Sequence, residues 1–171
     1  MNTSSLLRAS LAVVASLLVA SCAHYQLGTT LPPHLKTIYV ETFKNTTGEP
    51  QLESSIANAM RQEVLRDGTL KLVDPEEADI ILRGVITSYT LESIRRDRNN
   101  PKTTNEYRAI VRADIQAYER KTGKPIVKNR TVSGSERMQV GGDLVTARRS
   151  VLPVVAERLA DQAVEAVVSA W

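Results

Sequence analysis

Apolar and polar positions alternate most regularly in "EYRAIVRADIQAYE", residues 106–119. Tyr107, Ala109, Val111, Ala113, Ile115 and Ala117 are apolar, while Glu106, Arg108, Arg112, Asp114 and Gln116 are polar. A period of two with one apolar side predicts a half-buried antiparallel strand. "RKTGK" (Arg120 to Lys124) then reads as a hairpin turn, with Pro125 to Met138 returning as a more polar partner strand. Upstream, "KTIYVETF" (Lys36 to Phe43) is β-branched and follows the breaker Pro32-Pro33, and "IILRGVITSYTLES" reads as a long strand buried at its start.

The period changes to that of a helix in two places. Leu52, Ile56, Ala59, Met60 and Val64 recur at helical spacing after the turn residues of "KNTTGEP", with Pro50 expected in the first turn and Asp67-Gly68 ending the run. After "VGGD", Asp143 is positioned to cap a last helix reaching Ala170, with Val151, Val155, Leu159, Ala163, Ala166 and Val167 on its apolar side. Pro153 either kinks that helix, through the lost bond to the Arg149 carbonyl, or sits in the first turn of a helix beginning near Ser150. These stripes predict an α+β domain, residues 35–171, with two helices packed on one face of a four-stranded, mainly antiparallel sheet in the order β-α-β-β-β-α.

The first residues follow another pattern. Arg8 is the single charge before an apolar run from Leu11 to Ala20, the layout of a secretory signal. The run is about half of the roughly 20 residues that span a bilayer, so no permanent transmembrane helix is expected. Val19-Ala20-Ser21-Cys22 resembles the lipobox of bacterial lipoproteins, in which cleavage precedes a lipidated cysteine. Cys22 is the only cysteine, and the thiol is the nucleophile that such an attachment needs. With about 0.8 kcal/mol per buried methylene, the acyl chains would hold the protein permanently. Ala23 stands where lipoproteins kept at the inner membrane carry Asp, which points to the outer membrane. Residues 1–21 are thus read as signal peptide and 22–34 as lipidated cysteine and short linker.

Charge and composition narrow the chemistry. Without a second cysteine the domain rests on packing alone, and with aromatics at 4% its core must be aliphatic. From Glu92 to Arg130 eleven Lys or Arg face five acids, whereas the whole chain has 22 against 19. A basic block on an otherwise acidic domain suggests an anionic partner, and the compartment excludes nucleic acid. "RRDRNNPK" draws attention because Arg presents a planar fork to phosphate oxygens. Arg95, Arg96, Arg98 and Lys102 are therefore the candidate binding residues; solvation of a hairpin end and protection of sheet edges explain such residues equally well. His24 and His34 lack partners at metal-ligand spacing, "DPEEAD" lacks the spacing of a calcium loop, and Gly134 and Gly141-Gly142 are not in phosphate-cradling sequences. No catalytic residue, metal site or cofactor is expected.

The residues from "CAHYQLGTTLPPHLKTIYVETFKNTTGEPQLESSIANAMRQEVLRDGTLKLVD" through "EYRAIVRADIQAYERKTGK" to the helix ending in Trp171 resemble the LptE family of lipopolysaccharide-assembly lipoproteins. Tyr25 shortly after the cysteine, Gly28 and the "EYR" strand carry the likeness together with the order of elements. The resemblance implies a non-enzymatic subunit that plugs the lumen of the LptD β-barrel, helps that barrel fold and engages lipopolysaccharide on its way to the outer leaflet. Basic residues before the "EY" strand have been linked to lipopolysaccharide in such proteins, which selects the same Arg95 to Lys102 region without matching single residues. "VETFKNTTGEP" is also similar to the opening of lipoprotein activators of peptidoglycan synthases of the LpoB type, the alternative function. The short segment Ala23 to Pro33, reaching roughly 35–40 Å when extended, argues against a job across the periplasm.

Overall fold

A computed structural model describes residues 31–96, 104–141 and 143–170. In chain order they form β1 (Thr37–Val40), β2 (Lys44–Asn45), α1 (Leu52–Asp67), β3 (Lys71–Leu72), β4 (Ile80–Arg96), β5 (Thr104–Glu119), β6 (Pro125–Gln139) and α2 (Leu144–Val168). The sheet runs β3-β1-β4-β5-β6, with β2 joining β4 beyond the end of β1. β4, β5 and β6 are antiparallel neighbours, whereas β1 and β2 run parallel to β4 and β3 runs parallel to β1. Helix α1 lies over β1 and β3, α2 over β5 and β6, and the two helices pack on each other.

The α+β class and the layer of two helices agree with the sequence pattern, but the sheet is six-stranded and mixed, not four-stranded and mainly antiparallel. The unexpected strands are β2, inside the presumed turn "KNTTGEP", and β3, inside "LKLV". Each has two residues, too few for alternation to be visible. The strand expected from Lys36 to Phe43 stops at Val40. The Glu41 N–H still donates to the Leu82 carbonyl at 2.9 Å, after which the chain swings out, buries Phe43 and rejoins β4 as β2.

Strand β5 follows its predicted alternation: Ala109, Val111, Ala113, Ile115 and Ala117 are buried. Strand β4 changes phase part-way. Ile80, Leu82 and Ile86 face the core, then a register shift between Ile86 and Ser88 inserts Thr87, and the core face passes to Tyr89 and Leu91. An inserted residue in one strand has this effect, because each step along a strand changes the face of the side chain.

In α1 all five expected apolar positions are buried. Pro50, expected in the first turn, instead precedes the N-cap residue Gln51, which takes a left-handed conformation with φ 64°. Gly68 ends the helix at φ 73°, where its lack of a Cβ avoids strain, and its N–H bonds the Val64 carbonyl. Glu63 is buried on this helix and is held by Arg66 at 2.6 Å, which also reaches Glu157 and Asp161 of α2.

Helix α2 begins as expected at Asp143, whose carboxylate accepts from the N–H groups of Val145 and Thr146. The hydrogen bond from the Thr146 hydroxyl first, then those two N–H bonds, hold its pKa below the ordinary aspartate value. Pro153 lies inside the helix, so the first-turn reading is excluded. Both Pro153 and Arg149 are exposed, so the turn in which the helical bond is lost lies on the solvent side of α2. The buried side of α2 is rich in Ala156, Ala160, Ala163 and Ala166, and small residues allow close approach to the sheet. Closest is Gly134 of β6, where an added Cβ would overlap the Val155 carbonyl oxygen.

Candidate partner-binding surface

Where the chain enters the domain, a single carboxylate organises the backbone. Asp79 Oδ2 accepts from the N–H groups of Lys36 at 3.0 Å and Thr37 at 3.2 Å, and the Thr37 hydroxyl accepts from the Asp79 N–H at 2.8 Å. Burial alone would push Asp79 up, but the bonds from Lys36 and Thr37, with Lys121 nearby, hold it below its ordinary value. Arg120 extends the knot to the β5–β6 turn by donating to the Ala78 and Asp79 carbonyls. Leu31 and Leu35, at the same end, are buried in the core, and His34 lies 3.6 Å from Glu119.

The basic end is at the other extreme of the sheet. β4 starts beside β1 and runs for 17 residues, roughly 50 Å at strand spacing, before ending in Arg95 and Arg96. Their backbones pair with Glu106 and Thr104 of β5. Arg98, Lys102 and the expected lipidation site Cys22 lie outside the described residues, as do His24 and Trp171. Of the four candidate binding residues, the described residues include Arg95 and Arg96, consecutive positions at the end of the longest strand.

The helix-free face of β4, β5 and β6 carries further charge. Arg108 and Arg112 lie on it with Asp114 and Gln116, and Arg108 is opposite Glu92 on one side and Arg137 on the other. Two arginines directly opposed across strands repel, and Arg137 is offset by Glu106 at 3.8 Å. Toward the β1 end, Arg83 donates twice to Gln116 Oε1, at 3.1 and 2.9 Å, and stands 5.2 Å from the centroid of the Tyr118 ring. Thr131 bonds Asp114 at 2.6 Å. A shallow groove of about 550 Å³ crosses this region, with Lys44 and Arg83 set against Glu41 and Asp114.

Arg83 and Arg137 lie on either side of the basic block drawn from Glu92 to Arg130, and join the surface only through strand register. Among the described residues, no group of three or more His, Cys, Asp or Glu is arranged to hold a metal ion, and no helix is long and apolar enough to cross a membrane. The surface offers planar cations on the helix-free face of the sheet, suited to anionic or hydrogen-bonding partners.

A family model described as LptE, lipopolysaccharide-assembly, matches residues 35–170. The chain belongs to the LptE family. No curated protein matches it. Among solved structures, this LptE-family chain is similar to a hypothetical protein of Chlamydia trachomatis, at 10% identity and TM-score 0.55, over 77% of this chain and 95% of that one. A protein of Xanthomonas campestris gives 10% identity and TM-score 0.54 over 85% and 93% of the two chains. PelC from Paraburkholderia phytofirmans, solved as a dodecamer of a variant, gives 11% identity and TM-score 0.50 over 83% and 95%. At such identities these three share the fold, while lipopolysaccharide assembly comes from the family match.

Proposed function

We propose that this LptE-family protein is an outer-membrane lipoprotein, anchored through Cys22 on the periplasmic side, that acts as the partner subunit of an LptD-type β-barrel. It fills and props the barrel, helps it assemble and assists the passage of lipopolysaccharide to the outer leaflet, without chemistry of its own. The observation that carries this reading is the family match over residues 35–170.

The geometry supports it in one respect beyond family membership. The linker enters beside the start of β4, and the basic positions Arg95 and Arg96 end the same strand. Their separation of roughly 50 Å is comparable to the thickness of a bilayer with its headgroups, about 40–45 Å. A sheet anchored in the inner leaflet and standing along the barrel axis would present Arg95, Arg96, Arg98 and Lys102 near the leaflet that receives lipid A phosphates. Charge-assisted bonds from arginine would then contact the lipid at its destination.

Depleting the protein from its host tests this role. The expected result is a fall in both folded barrel and surface lipopolysaccharide; unchanged amounts of both would refute the proposal.

A further inference from the structure

Strand β4 is paired with β5 along its whole length, from Ile80 opposite Glu119 to Arg96 opposite Thr104. Its other side has neighbours only over the first half, β1 along Ile80–Leu82 and β2 along Val85–Ile86. Thr46 completes the β2 contact, its N–H and hydroxyl reaching the Ile86 carbonyl at 3.1 and 2.6 Å. Beyond them, among the described residues, no strand accompanies β4 on that side.

Strand geometry identifies the groups left open. For a given strand direction, the face taken by a side chain and the edge addressed by that residue's N–H and C=O are tied together. Leu82 and Ile86 face the core, and their carbonyls accept from the β1 side. After the bulge the core-facing residues are Tyr89 and Leu91, so their N–H and C=O groups point to the vacated side. The outer edge of β6 follows the same rule: there the groups of outward-facing residues point away from β5, and the Ser133 and Arg137 N–H groups are taken by the side chains of Gln162 at 3.0 Å and Glu136 at 3.1 Å. One edge of the sheet is thus blunted by side chains and the other, β3, has only two residues.

The open stretch of β4 lies between the bulge at Thr87 and the shifts that begin after Ser93, and it pairs regularly with β5 in between. Its two sides differ. Tyr89 and Leu91 are half-buried against the core, while Thr90 and Glu92 are exposed on the helix-free face. We infer that Ser88–Glu92 is an acceptor edge for an added strand, supplied as an extended segment of the partner subunit in which apolar and polar residues alternate. Its apolar side chains would continue the row of Tyr89 and Leu91, and a Lys or Arg on its polar side would meet Glu92. Backbone bonds to Tyr89 and Leu91 would supply the attachment, and this alternation the selectivity. The inference rests on the partner-subunit reading above, and concerns how the partner is held.

The test combines two readouts on the full-length, membrane-anchored protein. A photoreactive phenylalanine analogue placed at Thr90 or Glu92 is expected to form adducts in cells with one extended segment of the barrel subunit, a segment that the same probe at Thr131 or Ser135 of β6 does not label. In the isolated complex, amide exchange at Tyr89 and Leu91 should slow at least tenfold relative to the uncomplexed protein, while Thr90, bonded to β5, changes little. Adducts with a second copy of the chain, an absence of adducts, or unchanged exchange at Tyr89 and Leu91 would overturn the acceptor edge. A barrel that co-purifies while these amides stay fast leaves the partner reading standing and removes only this inference. Protection of the same amides by a different protein leaves the edge standing and removes the barrel.

Discussion

The ring of Phe43 occupies the space that a side chain at Gly84 would need: a Cβ built there overlaps the ring edge. Phe43 is the only phenylalanine in the chain and is 1% exposed. It comes from the segment that leaves β1 and returns as β2, so this contact fastens that excursion to the sheet.

Gly84→Ala is therefore expected to destabilise the domain by about 1–3 kcal/mol, the range for overfilling a packed site. Combining it with Phe43→Leu should cost less than the sum of the single changes, since the smaller side chain vacates part of the space. Urea unfolding of the four proteins provides the check; strict additivity would show that the two positions do not compete.

Gly134 differs because its obstacle is backbone. An added methyl would meet the Val155 carbonyl, and the Leu159 nitrogen is 2.8 Å from the same point, so α2 itself must lift from β6. Gly134→Ala should cost about 3 kcal/mol, at the upper end of overpacking effects. The melting temperature checks this, and an unchanged value would contradict the close helix–strand contact.

Much of this architecture was legible in the sequence because the long elements repeat their patterns. The buried row of β5, the five apolar positions of α1 and the Asp143 cap all lie where periodicity placed them. β2 and β3 were hidden, since two-residue parallel strands are defined by what lies beside them and not by an internal pattern. The polar pair Thr87-Ser88 in "VITSYT" was a visible sign of the phase change in β4, though polarity alone does not distinguish a bulge from an exposed stretch. On the surface, Arg95 and Arg96 stood out as a run, whereas Arg137 becomes relevant only when register sets it opposite Arg108. Charge proximity across strands is a property of pairing, and pairing was the part that the pattern left open.

Acid should loosen the domain at the end where the chain enters. Asp79 is held below its ordinary value, so its contribution is complete above the unfolded-state pKa, about 3.9, and is lost as the pH falls through the lower folded-state value. Asp79→Asn should lower the urea midpoint at neutral pH, and the gap to the parent protein should close as the pH is taken well below 4. A gap that stays constant down to pH 2 would show that the charge of Asp79 does not support the Lys36–Thr37 backbone. Comparing the gap, not the absolute midpoint, removes the effect of Asp143 and Glu136, which are also held low.

Reversing Arg95, Arg96 and Arg98 together to Glu tests the proposed lipid contact. Binding of purified protein to lipopolysaccharide in low salt should weaken on the order of tenfold, equivalent to about 1.4 kcal/mol, and the parent protein should lose affinity as salt is raised. Unchanged affinity in low salt would remove these residues from the binding surface, with Arg108, Arg112 and Arg137 next to be examined.

The most direct measurement is the recovery of partners with the lipidated protein from detergent-solubilised outer membrane, identified and quantified by mass spectrometry. The account predicts a large β-barrel of the LptD type in roughly equal amount. Recovery of a peptidoglycan synthase in its place, or of no stoichiometric partner, would contradict it.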